Sequence, residues 1–314
     1  MKIALAQMEV KAGMPMKNFE NMLSLIKEAK LQKIDLIVFP EMCIGGYLVG
    51  DKWTNKNFCE SLMDFNSKLL EASIGIAIAY GNVFLDEEIN RVSENSIHPN
   101  RDGRIRKYNS IYVIQNGKPC ERIKETNIIP RGIQPKTLLP TYRIFDDSRY
   151  FFSLENISQE FNQPLEELCQ PFLINVDGKK VPIGFELCED LWCEDYRKNL
   201  KSLNPTKMLI DNRAELIINL SSSPWTYGKN SARDRRVEFL KKDSGDSFVP
   251  FLYVNCCGAQ NNGKNIVTFD GGTTVYNSSG LPVQFAKTPY EQELIIVDSS
   301  SFSNPKNRIE APKI

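Results

Sequence analysis

The sequence predicts an α/β fold, because short apolar runs alternate with amphipathic helical stretches and two tight-turn pairs set hairpins among them. Residues 2–10 open with the strand-like Ile3-Ala4-Leu5-Ala6-Gln7-Met8. A helix follows over 17–30, where Phe19, Met22, Leu23, Ile26 and Ala29 recur at helical spacing on one face. Ile34-Asp35-Leu36-Ile37-Val38-Phe39 is a short buried strand, stopped by Pro40, which has no N–H for a ladder. Residues 55–73 read as helix again, and 74–81 as strand. Residues 111–114 lead to a turn at Asn116-Gly117, and 172–176 pass through Asp177-Gly178 into 181–185. A strand over 216–220, a helix near 229–242 and a strand over 251–255 come next. The chain closes with a strand at 275–277, a turn at Asn277-Ser278-Ser279-Gly280 and a strand over 294–297. Residues 153–170, rich in Glu, Gln and Ser, read as a surface excursion, and 301–314 as a C-terminal tail strapped to the outside. One domain over 1–300 accounts for the pattern.

Composition narrows the function classes. The 314 residues suffice for a large core, and 41% hydrophobic with 25% charged residues is ordinary for a soluble globular protein. Lys plus Arg equals Asp plus Glu, which gives no support to a nucleic-acid or membrane-surface partner. No run approaches the ~18 apolar residues of a membrane helix, and Met1-Lys2 leads straight into a strand rather than a signal peptide. The eight cysteines (Cys43, Cys59, Cys120, Cys169, Cys188, Cys193, Cys256 and Cys257) are scattered without a CxxC pair, so a reduced, cytoplasmic protein is expected. The single histidine, His98, sits in the turn-like Ser-Ile-His-Pro-Asn-Arg-Asp-Gly and reads as a loop residue. A Ser-His-Asp triad would have to use it, and a His-rich zinc site is excluded. No metal or other cofactor is expected, and a nucleophile here needs a base other than histidine.

Three residues stand just past strands or strand-like loops, where sites collect in α/β folds. Glu41 follows Ile37-Val38-Phe39-Pro40, Cys188 follows Ile183-Gly184-Phe185-Glu186-Leu187, and Lys136 follows Ile129-Pro130-Arg131-Gly132. A thiol with a pKa near ~8.5 needs a neighbouring base or cation to act at neutral pH. Glu41 can take that proton and later activate water, while Lys136 and the Glu189 N–H can meet an oxyanion. One such donor is worth about 10²–10³ in rate. Pattern alone leaves the bland readings open: a buried hydrophobic cysteine among eight, a helix N-terminal carboxylate, a solvated lysine.

The local sequences go further. Phe39-Pro40-Glu41-Met42-Cys43-Ile44-Gly45-Gly46-Tyr47 resembles the glutamate motif of the nitrilase, or carbon–nitrogen hydrolase, superfamily, and Leu187-Cys188-Glu189-Asp190-Leu191-Trp192 its nucleophile motif. Lys136-Thr137-Leu138-Leu139-Pro140-Thr141-Tyr142, with Phe145-Asp146-Asp147-Ser148-Arg149-Tyr150-Phe151, resembles the lysine motif in the form carried by glutaminase domains of glutamine-dependent NAD synthetases. Lys107-Tyr108-Asn109-Ser110, Asn219-Leu220-Ser221-Ser222-Ser223-Pro224-Trp225 with Gly228-Lys229 and Arg233, and Phe269-Asp270-Gly271-Gly272 extend the likeness in order over residues 2–298.

The resemblance implies a nitrilase-like four-layer αββα sandwich that assembles as a homo-oligomer. It implies Cys188-dependent hydrolysis of a carboxamide, most directly glutamine to glutamate and ammonia through a thioester, feeding an NAD synthetase domain or subunit. By motif position, Glu41, Lys136 and Cys188 are the catalytic set. Tyr47, Tyr142, Phe145, Asp147, Glu189, Trp192, Ser222 and Ser223 are the substrate-pocket set. Two departures matter. Asp147 stands where the branch has Glu, which puts a second carboxylate at Lys136 in question, and Gly45 stands where Thr or Ser is common, which thins one pocket wall. No segment resembles a synthetase pyrophosphate loop, and Asp270-Gly271-Gly272-Thr273-Thr274 precedes a strand rather than a helix. A stand-alone amidase on another small linear amide is the alternative. A silent regulatory subunit, using the basic stretch Lys229, Arg233, Arg235, Arg236, Lys241 and Lys242 as a partner surface, is the third reading.

Overall fold

Each half of the chain repeats one construction: three parallel strands connected by helices, with antiparallel strands added at the edges. The computed structural model describes residues 1–87, 105–198, 201–261 and 263–303; the expectations for His98 and for residues 304–314 fall outside them. The first half runs β1 (Lys2–Gln7), α1 (Pro15–Leu31), β2 (Leu36–Val38), α2 (Lys56–Met63), α3 (Phe65–Ala72), β3 (Ala77–Leu85), β4 (Lys107–Gln115), β5 (Lys118–Pro119) and β6 (Ile133–Pro135). The helices α4 (Asp147–Tyr150), α5 (Leu154–Glu160) and α6 (Leu165–Leu168) lead to the second half. That half holds β7 (Phe172–Val176), β8 (Lys179–Leu187), the small pair β9 (Arg197–Lys198) and β10 (Lys201–Ser202), α7 (Pro205–Asp211), β11 (Leu216–Ser221), α8 (Lys229–Ser244) and β12 (Phe251–Asn255). A hairpin β13 (Cys257–Asn261) and β14 (Ile266–Asp270), then β15 (Thr274–Tyr276) and β16 (Pro282–Phe285), precede β17 (Glu293–Asp298), which returns to pair antiparallel with β1.

Among the described residues the first sheet has the order β17-β1-β2-β3-β4-β5, with β6 also on β4, and the second the order β16-β15-β12-β11-β8-β7. Strands β1, β2 and β3 are parallel, as are β8, β11 and β12. The sheets pack face to face through Ile3, Leu5, Leu36, Val38 and Val113 against Phe185, Leu187, Ile218, Leu220 and Val254. Strand alternation turns Ala4, Ala6, Ile37 and Ile78 the other way, toward Phe19, Met22 and Ile26 of α1. The second sheet is covered in the same manner by Leu209 of α7 and Val237 and Leu240 of α8. The result is the expected αββα sandwich.

Several elements depart from their sequence reading. Leu23 is 37% exposed, and Leu25 takes its place on the buried face of α1. The helix expected over 55–73 is two helices meeting at Asp64. Strand β4 starts four residues early because Lys107-Tyr108-Asn109-Ser110 pair along β3 in full register. Residues 153–170 are no surface excursion: α5 and α6 bury Leu154, Ile157, Leu165 and Leu168, and their polar residues occupy the opposite side. The β13–β14 hairpin has no clean apolar alternation and went unread. All eight cysteines are buried and free, and no described helix is long and apolar enough to cross a membrane.

Candidate active site

The carboxyl ends of β2, β8 and β11 and the end of β6 meet at one place between the sheets. Glu41 follows β2 and has no exposed surface. Its turn lies against β3 at Gly81, where an added Cβ would sit 2.4 Å from the Met42 nitrogen and 2.6 Å from the Glu41 Cα, so only glycine permits this approach. Both Glu41 oxygens are held. Oε1 accepts from Lys136 Nζ at 2.7 Å and from Asn109 Nδ2 at 2.7 Å, and Oε2 accepts from the Ser222 backbone N–H at 2.9 Å. The Ser222 hydroxyl donates to the Glu41 carbonyl at 2.7 Å.

Lys136 stands directly after β6, its own N–H donating to the Asn109 carbonyl at 2.9 Å. Its buried ammonium also meets Asp147 Oδ2 at 3.1 Å. Tyr47 donates its hydroxyl to Asp147 Oδ1 and lays its ring 5.5 Å from the ammonium. Asp147 therefore reaches the lysine despite being one methylene shorter than the expected glutamate. Burial alone would lower the Lys136 pKa, but the charges of Asp147 and Glu41 outweigh it and hold the amine protonated. Burial raises the Asp147 carboxyl, and Lys136 opposes that rise.

Cys188 directly follows β8 with φ +32°, the left-handed region that L residues avoid, and opens a 3-10 turn over Cys188–Asp195. A strained turn between strand and helix is a common way to present a nucleophile. Burial pushes its thiol well up, with the Glu41 charge adding and the Lys136 charge opposing. The resting group is thus a thiol, and nucleophilic attack requires a proton acceptor. Asn219 Nδ2 donates to the Cys188 carbonyl at 3.4 Å and to Glu186 Oε1 at 2.9 Å, while Thr206 donates to Glu186 Oε2 at 2.7 Å.

Burial pushes the Glu186 carboxyl up to about 7 from an ordinary 4.5. A folded-state pKa above the unfolded one contributes stability below about 4.5 that is lost as pH rises through about 7. Glu186→Gln is expected to flatten this decline, sparing about 2–3 kcal/mol of unfolding free energy between pH 5 and 8. Urea melts at both pH values check it.

The predicted pocket residues divide. Glu189 is buried and accepts from the Tyr142 hydroxyl at Oε2 and the Tyr196 hydroxyl at Oε1, both at 2.9 Å. Burial raises its pKa, and Lys136 and the two phenols oppose the rise. Phe145 stacks edge-on between Tyr47 and Tyr142 at 5.8 and 5.6 Å. Ser222 serves Glu41 rather than open space, and the Ser223 backbone is tied at both N–H and carbonyl to the Asn255 side chain. Trp192 lies further out, in a groove with Glu194, Asp195 and α8, its ring 4.6 Å from Lys229 Nζ and 5.1 Å from the Arg236 guanidinium. At Gly45 an added Cβ would strike Leu62 at 2.7 Å and Trp53 at 3.3 Å, so this position is filled by the core and thins no pocket wall.

Asn109, Tyr196, Asn219 and Lys229 were absent from the expected site. Asn109 and Asn219 lie within the motifs Lys107-Tyr108-Asn109-Ser110 and Asn219-Leu220-Ser221-Ser222, and Asn219 is the polar residue of an apolar run, which is a readable signal; Tyr196 lies beyond any motif. Lys229 is half-buried at the start of α8, where burial lowers its pKa and the nearby Cys188 and Glu189 oppose that effect. A carboxylate, a fixed cation and a thiol are thus buried together with a second carboxylate beside the cation, an arrangement suited to acyl transfer.

Comparisons with known proteins agree with this chemistry. The chain is 30% identical over 305 residues to a glutamine-dependent NAD(+) synthetase of Synechocystis sp., covering 96% of this chain and 46% of that protein. It is 25% identical over 316 residues to the enzyme of the same name from Thermotoga maritima, covering 44% of it. The chain thus spans less than half the length of these relatives. The structure of the glutamine-dependent NAD+ synthetase from Acinetobacter baumannii superposes with a TM-score of 0.70 at 24% identity, over 99% of this chain and 48% of that one. An amidase from Nesterenkonia sp. shares the fold at a TM-score of 0.65 and 16% identity, over 95% of this chain and 89% of that one. The family model for carbon-nitrogen hydrolases matches residues 2–301. With that match over nearly its whole length, the chain belongs to the carbon-nitrogen hydrolase family and is a hydrolase of amide C–N bonds.

Proposed function

We propose that the chain hydrolyses the side-chain amide of glutamine, releasing ammonia for NAD synthesis in a synthetase domain or partner. The observation that carries the choice of glutamine is Glu189. A buried carboxylate gripped by two phenols keeps lone pairs for an ammonium group, and Lys229 stands near enough for its charge to act on both Cys188 and Glu189. A zwitterionic amino-acid head fits that pair of opposite charges, whereas an aliphatic amide leaves both unused.

In the first half-reaction Cys188 Sγ bonds to the amide carbon as Glu41 takes the thiol proton. The carbonyl oxygen becomes an oxyanion facing the Lys136 ammonium and the Glu189 N–H. Glu41 returns the proton to the departing nitrogen, the C–N bond breaks, and ammonia leaves a γ-glutamyl thioester. Water then attacks the thioester carbon as Glu41 accepts its proton. The C–S bond breaks, glutamate departs, and the sulfur regains a proton. Glutamine is expected to release ammonia with a kcat/KM at least about 10²-fold above that of butyramide or a carbamoyl compound, matching one or two charge-assisted hydrogen bonds. Lys229→Met should raise KM for glutamine by about 10–100-fold and leave the aliphatic amides unaffected. Equal rates across the amide panel would replace this reading with the stand-alone amidase.

A further inference from the structure

We infer that Asp190 is a positioning residue that sets the catalytic lysine against the nucleophile. The two groups follow strands of different sheets: Lys136 follows β6 in the first, and Cys188 follows β8 in the second. The core between the sheets is apolar and non-directional, and directional ties such as Gln115 to Asn175 and Cys257 to Met8 lie away from the two groups, so the core fixes their burial better than their registration. Asp190 spans the joint. Its Oδ1 accepts from the Leu138 N–H at 2.8 Å, two residues past Lys136, and its Oδ2 accepts from the Leu187 N–H at 3.0 Å, one residue before Cys188. The carboxyl is 2% exposed, and its two oxygens face two backbone donors. Glu41 is stapled to the second sheet in a parallel manner, through the N–H and hydroxyl of Ser222. With both staples in place, acceptor, cation and nucleophile share one register.

This role rests on the thioester reading and adds a residue that touches no substrate. Misplacing a reacting pair by about 1 Å costs on the order of 10²-fold in rate. Asp190→Asn turns one oxygen into an NH₂ facing a backbone N–H, so it opens the clasp with little change in volume. A second variant, with Leu138 replaced by its α-hydroxy acid, deletes the donated N–H while keeping every side chain, at the cost of a weaker acceptor at the Thr137 carbonyl. Asn204→Ala removes the side-chain cap of α7, where Asn204 accepts from the Lys207 N–H at 3.0 Å, and serves as a purely structural control.

Three quantities are measured on the full chain: steady-state glutamine hydrolysis, the alkylation rate of Cys188 by iodoacetamide, and the melting temperature. Opening the clasp by either route should lower kcat by roughly 10²-fold, keep KM within about threefold, and slow alkylation severalfold. Asn204→Ala should lower the melting temperature with kcat within about twofold. A kcat within about threefold of wild type in the α-hydroxy variant overturns the inference. So does a kcat loss in Asn204→Ala equal to that in the clasp variants at matched melting temperature. Alkylation needs no glutamine, so wild-type protein that alkylates rapidly at Cys188 yet releases no ammonia sinks the substrate reading alone, and the alkylation rates then decide the clasp.

Discussion

Lys136→Met is expected to damage activity and stability together, losing activity by about 10³-fold or more and stability by about 3–5 kcal/mol. The reason is the company the ammonium keeps. It stands 2.7 Å from Glu41 and 3.1 Å from Asp147, all three buried. Without the cation, two buried carboxylates face each other with no opposite charge between them. The oxyanion loses its cation, and Glu41 Oε1 loses the donor that holds it at 2.7 Å, so both parts of the machinery are disturbed together. Lys136→Arg should restore little, because a planar guanidinium cannot take the position of a compact ammonium between two carboxylates and beneath the Tyr47 ring. Removing a carboxylate as well, in Lys136→Met with Asp147→Leu, should return part of the stability and none of the activity. Thermal melts beside ammonia-release assays separate the two effects.

The second large effect concerns Cys188, where stability and activity move in opposite directions. Cys188→Ala should lower amide turnover by about 10⁴-fold or more, since no other group forms the acyl intermediate. Cys188→Gly should be equally inactive yet more stable than the Ala variant by about 1 kcal/mol. Elsewhere in a strand or helix that order is reversed, glycine being the weaker by about 0.5–1 kcal/mol. Here φ is +32°, so a side chain of any kind is held at a cost and glycine relieves it. An Ala variant as stable as the Gly variant would mean that the turn stores no strain for the nucleophile.

How much of this was readable from the chain depends on the interaction involved. The parallel strands were, because buried runs such as Leu216-Ile217-Ile218-Asn219-Leu220 carry their own pattern, and the candidates Glu41, Lys136 and Cys188 stood out because each motif is contiguous. The contacts that complete the site were not, because they are made between residues far apart in sequence. Glu41 and Ser222 are 181 positions apart, Leu138 and Asp190 are 52 apart, and nothing in either segment announces the other. Tyr142 illustrates the same limit: its motif suggested the pocket, but its bond to Glu189 exists only because the lysine loop folds over the nucleophile turn. Segment 153–170 was misread because its Glu and Gln content masked four buried leucine and isoleucine side chains.

Acylation of Cys188 by glutamine can be caught by rapid mixing with glutamine followed by acid quench and peptide mass analysis. A γ-glutamyl adduct is expected on the peptide carrying Cys188, formed before the steady state and diverted by hydroxylamine to γ-glutamyl hydroxamate. Ammonia release that continues undiminished in Cys188→Ala, with no adduct on that peptide in the wild type, would contradict it.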